Sequence, residues 1–207
     1  MTDISAVLLN CSLKPSSAND TSSTDRLLGE LATQLRTHDV SIDGPIRLAD
    51  HDVKPGVSSD EGDGDEWPGI RKRILDAQIL VVGTPIWIGH PSSFAQRVLE
   101  RLDAFLGEKD DHGRMISYDR VALVAVVGNE DGAHHVSAQL FQGLNDVGFT
   151  IPANGVTYWV GEAMQSTDYK DLDKTPEKVA AATAAAALNA AHLARLLAST
   201  PYPADGS

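Results

Sequence analysis

Short apolar runs alternate along this chain with segments whose hydrophobic residues recur every four positions. Ile4–Leu9 (ISAVLL), Ile79–Gly83 (ILVVG), Val121–Gly128 (VALVAVVG) and Val156–Gly161 (VTYWVG) are brief and rich in β-branched or aromatic residues. Three of them are nearly all apolar, the pattern of strands covered on both faces. Between them Leu27, Leu31 and Leu35, then Phe94, Val98, Leu102 and Leu106, then Val136, Leu140 and Leu144 repeat with helical spacing. A weaker strand is predicted over Val40–Leu48, where Asp43-Gly44-Pro45 interrupts the pattern, and a helix near Trp67–Ala77. The last helix is predicted to start at Thr175-Pro176-Glu177, with Thr175 as N-cap and Pro176 at the first helical position, and to run Ala-rich to Ala198.

Strand and helix in alternation imply a parallel sheet with helices on both faces. Five strands and five helices in 207 residues predict an α/β, flavodoxin-like, doubly wound five-stranded sheet of order 2-1-3-4-5. Residues 1–199 read as a single domain of this kind and 200–207, with two prolines, as a loose C-terminal tail. Ligands of such sheets sit at the carboxyl ends of the strands, which directs attention to the loops after the first, third and fourth.

The first loop, Asn10–Thr24 (NCSLKPSSANDTSST), is packed with hydroxyls and leads into a helix. Ser22, Ser23 and Thr24 would place hydroxyls and free backbone N–H groups at a helix N-terminus, a setting that favours an anion, and Lys14 adds a point charge. Ordinary capping by Ser or Thr is the plainer alternative. Neither G-x-x-x-x-G-K-[ST] nor G-x-G-x-x-G is present here, so an NTPase P-loop and the dinucleotide fingerprint are excluded at this position. A phosphatase loop with Cys11 as nucleophile would need an arginine six residues on, where Ser17 stands; Cys11 therefore reads as a packed side chain.

The second loop, Thr84–Ser93 (TPIWIGHPSS), offers an apolar wall around Pro85, Ile86, Trp87 and Ile88, with Ser92 or Ser93 capping the next helix. Trp87 is read either as core or as a platform for a flat ring. The third, Gly128–His135 (GNEDGAHH), combines two glycines with Asn129, Glu130 and Asp131, which can accept hydrogen bonds from a ligand or cap the helix that follows. Adjacent histidines on a helix start point about 100° apart, which argues against zinc held by both His134 and His135. Likewise Ser58–Glu66 (SSDEGDGDE) lacks the spacing of a calcium loop and reads as a solvated loop; no metal site is assigned. A hydroxyl-rich phosphate cradle, an aromatic wall and a Gly/Asn/Asp loop together suit flavin mononucleotide (FMN).

Charge and cysteine content narrow the partners. Lys and Arg number 17 against 29 Asp and Glu, a net charge of −12, which argues against nucleic acid or an anionic membrane surface as the partner. The single cysteine rules out an intramolecular disulfide and fits a reducing cytoplasm. No apolar run is long enough to span a membrane, and MTDISAVLLN lacks the basic start of a signal peptide.

The stretches NCSLKPSS…SST, VVGTPIWIGHPSSFAQRVLERLD and VVGNEDGAHHVSA resemble the flavodoxin-like NAD(P)H-dependent FMN reductases, with likeness running from Ile4 to Leu197. The resemblance implies FMN as cofactor and NADPH or NADH as co-substrate. It also implies a phosphate site at Ser12, Lys14, Ser22, Ser23 and Thr24, contacts to the ribityl chain and ring from Pro85, Ile86, Trp87 and Ile88, and contacts to the ring's polar edge from Gly128, Asn129, Glu130, Asp131 and Gly132. The first loop is longer than usual for such reductases, and Asp20, which would repel a phosphate, is expected to point away.

The function expected on this basis is transfer of a hydride from NAD(P)H to FMN and of electrons onward to a small acceptor: a quinone, a nitro or azo compound, free flavin or an iron complex. Backbone N–H groups of residues 86–88 and 128–133 would support the ring; no catalytic side chain is assigned, with Glu130 and His134 the candidates for proton delivery. Residues 103–117 read as an added loop able to border a substrate pocket or a subunit contact. The alternatives are an electron carrier whose acidic surface docks a basic partner, and a scaffold that keeps the fold without flavin. A homodimer or homotetramer is expected from the resemblance.

Overall fold

A computed structural model describes residues 3–18, 20–163 and 165–204. Five parallel strands make the central sheet: β1 (Ile4–Asn10), β2 (Val40–Arg47), β3 (Ile79–Trp87), β5 (Val121–Gly128) and β6 (Val156–Val160). Their order is β2-β1-β3-β5-β6, and β4 (His90–Pro91) is a two-residue antiparallel arm on β3. With that arm set aside, the doubly wound order 2-1-3-4-5 predicted from the sequence is the one observed.

Alternation along the strands divides the core into two layers. Val7, Val82 and Val124 face α2 (Trp67–Asp76), α3 (Ser93–Leu102) and α4 (Ala133–Asp146). Their neighbours Leu8, Val81 and Leu123 face α1 (Ser23–Arg36) and α5 (Glu177–Ser199). All six side chains are fully buried, as runs covered on both faces require. The α5 helix is long and apolar enough to cross a membrane by composition. Here Val179, Ala186, Ala190 and Ala194 on one of its faces belong to the core.

Several local expectations change. The Asp43-Gly44-Pro45 interruption does not end β2; the edge strand continues through a register shift opposite Val7 and Leu9. Strand β3 runs four residues past Gly83, so Pro85, Ile86 and Trp87 lie on a strand and not in a loop. Thr175 does not cap α5, whose N-cap is Pro176; the Thr175 hydroxyl donates to Glu30 instead, at 2.6 Å. The 103–117 segment packs at the opposite end of the sheet from the cleft described below. There Arg114 pairs with Asp110 and Asp119 at 2.7 and 2.8 Å. The tail expected to be loose is pinned at the same place: Arg114 Nη1 donates to the Tyr202 carbonyl, and the Tyr202 amide donates to Asp119. Residues 205–207 of that tail lie outside the described residues.

Candidate functional site

At the carboxyl ends of β1, β3 and β5 the chain leaves a cleft of about 360 Å³, within the range of small-molecule sites. Ser12, Lys14, Ser22, Ser23 and Thr24 line one end, Pro85, Ile86 and Trp87 another wall, and Gly128, Asn129 and Glu130 a third. Three expected residues are not on its wall: Ile88, Asp131 and Gly132. Leu13, Val127 and Asp168 line it without having been singled out.

The hydroxyl end is built on the start of α1. Ser22 is the N-cap of a capping box: its hydroxyl accepts from the Asp25 amide at 3.1 Å, and its own amide donates to the Asp25 carboxylate at 3.0 Å. Ser22 is thus occupied in the cap, and the ligand-facing part falls to Ser12, Ser23 and Thr24 with the amides of the first turn. The Asp25 carboxylate, which would repel an anion, is itself bound by Arg47 and by the Asn10 amide.

Lys14 does not stand free as a point charge. Its ammonium pairs with Asp20, which also lies 3.4 Å from Lys170 Nζ. The Lys14 ammonium holds the Asp20 carboxyl below its ordinary value. Asp20, expected to point away, therefore sits between two lysines at this end; its neighbour Asn19 lies outside the described residues.

Cys11 is fully buried and burial pushes its thiol well up, so it is the packed side chain expected, with no thiolate to offer. Its carbonyl accepts from the Ser92 hydroxyl at 2.6 Å, while Ser92 accepts from the Ala95 amide as N-cap of α3. That one hydroxyl fastens the second loop to the first.

On the apolar side, Trp87 is 53% exposed, so it is a wall of the cleft and not core. Ile88 is 88% exposed at the tip of the β3–β4 turn, with φ +53°, and turns away from the cleft. Its amide donates to Glu130 Oε1 at 2.8 Å, which corrects one expectation: Ile88 N–H is not directed at a ligand, and Glu130, on the cleft wall, also braces the turn. His134 Nε2 lies 3.1 Å from the Tyr158 hydroxyl, outside the cleft, so it is not placed for proton delivery.

Asp131 accepts from the Gly132 amide at 2.7 Å, serving the turn into α4. Gly132, at φ +130°, permits a close approach: a Cβ there would lie 2.9 Å from Gly89 Cα. At Gly128 a Cβ would lie 2.9 Å from the Ile86 Cβ, so glycine is what lets the cleft floor close against β3. Ser58–Glu66 is a loop folded on itself: Asp65 is buried against Arg101 at 2.7 Å, and Glu66 lies 3.0 Å from His51.

The donor set fits FMN. One end offers hydroxyls and a helix N-terminus to a dianion, the other a flat apolar wall, and Gly128 and Asn129 line the cleft beside them.

Comparison with known proteins points the same way. The profile of the family described as NADPH-dependent FMN reductase matches residues 5–165. The 8-demethyl-8-aminoriboflavin-5'-phosphate synthase of Streptomyces davaonensis is 31% identical over 215 residues, covering 98% of this chain and 81% of that protein. The crystal structure of RosB with the bound intermediate 8-demethyl-8-formylriboflavin-5'-phosphate superposes with a TM-score of 0.85 at 30% identity, over 96% of this chain and 82% of that one. A protein of Mycobacterium bovis named divalent metal cation transporter MntH is 37% identical over 170 residues, which is 80% of this chain and 24% of the relative, so the chain spans about a quarter of that protein's length. With its three loops gathered on one cleft, the chain belongs to the NADPH-dependent FMN reductase family, flavodoxin-like flavoprotein oxidoreductases that use FMN and NAD(P)H.

Proposed function

We propose that this protein binds FMN in the cleft and catalyses electron transfer from NADPH or NADH to a small acceptor such as a quinone, a nitro or azo compound, free flavin or an iron complex. The observation that carries this reading is the polarity of the one cleft: Ser12, Ser23 and Thr24 at the α1 N-terminus on one side, Ile86, Trp87 and Val127 on the other. Ser23 and Thr24 would hold the phosphate with the first-turn amides, and Trp87 would lie along the ring. When bound, FMN supplies the hydride and electron chemistry, and the protein supplies orientation and electrostatics.

The chain's own part is positioning. The Glu130–Ile88 bond fixes the angle between two walls, and Ser92 fixes a third to the first loop. His134 is engaged by Tyr158 outside the cleft, which leaves Glu130 on the wall as the side chain that could pass a proton, with solvent beside the exposed Trp87 as the other source. That side gives a planar acceptor room to enter, which favours an enzyme over a carrier. The exposed Trp87 at the mouth supports pairing of subunits beside it. A buried lone thiol at Cys11 goes with a cytoplasmic setting.

A second reading has specific support: the 31% identity to a synthase named for making a riboflavin-5'-phosphate derivative, held across 98% of this chain, favours a flavin phosphate as reactant and not resident cofactor. One experiment separates them. The purified protein, supplied with FMN, is assayed for NADPH and NADH consumption with a quinone, and the flavin is recovered and weighed by mass spectrometry. Sustained turnover with FMN of unchanged mass supports the reductase. An altered flavin supports the second reading. Flavin binding without nucleotide consumption supports a carrier.

A further inference from the structure

Residues 168–172, between β6 and α5, bring Asp168 to the wall of the cleft. They are anchored at both ends of the site: Asp168 Oδ1 accepts from Asn129 Nδ2 at 2.7 Å, and the Lys170 amide donates to the Ser23 hydroxyl at 3.2 Å. Between them Tyr169 is fully buried, its ring 4.9 Å from the Arg26 guanidinium carbon. Arg26 Nη1 also donates to the carbonyls of Tyr169 and Leu172 at 2.8 and 2.7 Å. The segment is therefore a rigid bridge from the loop on the ring side to the hydroxyls on the phosphate side, and Asp168 is the residue of that bridge that lines the cleft.

A carboxylate accepts hydrogen bonds and donates none, so whatever passes Asp168 must bring donors; a phosphate there would be repelled. Its placement also comes at the expense of a neighbour. Asn129 turns its amide nitrogen to Asp168, and its own Oδ1 is left buried without a donor, against Gly161, where a Cβ would come within 2.5 Å of it. A buried acceptor without a partner is costly, so the orientation serves the carboxylate.

We propose that Asp168 accepts hydrogen bonds from the hydroxyls of the polyol chain joining ring and phosphate, and so makes the site selective for flavins that carry that chain. The inference rests on the flavin reading above and names the residue that reads the middle of the ligand. Charge-assisted hydrogen bonds to a carboxylate are about twice as strong as neutral ones, so their loss should be legible in affinity.

The test is titration of wild type and Asp168→Asn with FMN, riboflavin and lumiflavin, the last having a methyl group in place of the polyol. Asparagine keeps an acceptor for Asn129 and the same volume. The expected result is a loss of about ten-fold in affinity for FMN and riboflavin alike, with lumiflavin unchanged. Unchanged FMN affinity overturns the inference. So does an equal loss for all three, which would mark Asp168 as a brace of the cleft wall through Asn129. Failure of the wild type to bind any of the three overturns the flavin reading itself, and shows before any substitution is made.

Discussion

The Ile88 amide donates to Glu130 Oε1 at 2.8 Å, joining the tip of the β3–β4 turn to the loop between β5 and α4. Behind this bond Gly89 and Gly132 pack backbone to backbone, too close for a side chain at 132. Two loops more than forty residues apart thus move as one wall.

Removing that brace should loosen the wall. Glu130→Ala leaves the Ile88 amide to water, and the cost to stability is about 1 kcal/mol. Because the loops it joins shape the cleft, FMN affinity should fall several-fold as well. Thermal melting and a flavin titration of the same sample check both; a variant with unchanged melting and affinity would show the bond to be incidental.

Ile88 is a β-branched residue at φ +53°, a region such side chains rarely adopt. It makes no cleft contact to offset that strain, and its side chain is exposed. Ile88→Asn, which tolerates this backbone, should stabilise the protein by about 1 kcal/mol and raise the melting temperature by about 2–4 °C. A lower melting temperature would mean that the isoleucine is held by contacts outside the single chain.

The order of the sheet and the three ligand-bearing turns were legible in the sequence because fully buried strands leave uninterrupted apolar runs and because capping residues mark helix starts. Asp168 was not, since a lone aspartate in a polar stretch gives no periodic signal and its place is fixed by Asn129 and Ser23, 39 and 147 residues away from Asp168 and Lys170 respectively. The pairing of Lys14 with Asp20 and the bracing by Glu130 were hidden for a related reason: composition shows a charge, and only packing shows its partner. Trp87 was ambiguous until β3 proved longer than its apolar run and carried the indole to the edge of the sheet.

The Asp65–Arg101 pair makes a prediction in acid. Both side chains are completely buried. Burial alone would raise the Asp65 carboxyl, but Arg101 and the amides of Glu61, Trp67 and Lys54 outweigh it and hold the group at about 2, below its ordinary 3.8. A carboxyl depressed by folding adds stability above its ordinary value and loses it as pH falls through the folded one, here from about pH 4 to about pH 2. Asp65→Asn should be about 3 kcal/mol less stable at neutral pH, because Arg101 is left buried without its counter-charge, and the gap to wild type should shrink across that window. Urea unfolding at a series of pH values measures this; a gap independent of pH would contradict it.

Charge at the start of α1 tests the phosphate end. Ser23→Asp with Thr24→Asp sets two carboxylates where a phosphate would sit, and each repels it by at least about 1 kcal/mol, for a loss of at least about thirty-fold in FMN affinity. Thr24 is buried and the Ser23 hydroxyl accepts from the Lys170 amide, so melting should fall as well, and riboflavin separates that general loss from repulsion of the phosphate. Riboflavin, without the phosphate, should bind the variant nearly as well as it binds wild type. An equal loss for both flavins would move the phosphate away from this helix.

The most direct measurement is the titration of flavin-free wild-type protein with FMN and with riboflavin, followed by quenching of flavin fluorescence. Saturable binding of one FMN per chain, about ten-fold or more tighter than riboflavin, is the expected result, since the hydroxyls and amides of the α1 N-terminus act on the phosphate alone. No saturable quenching, or equal affinity for the two, would contradict the assignment of the cleft to a flavin phosphate.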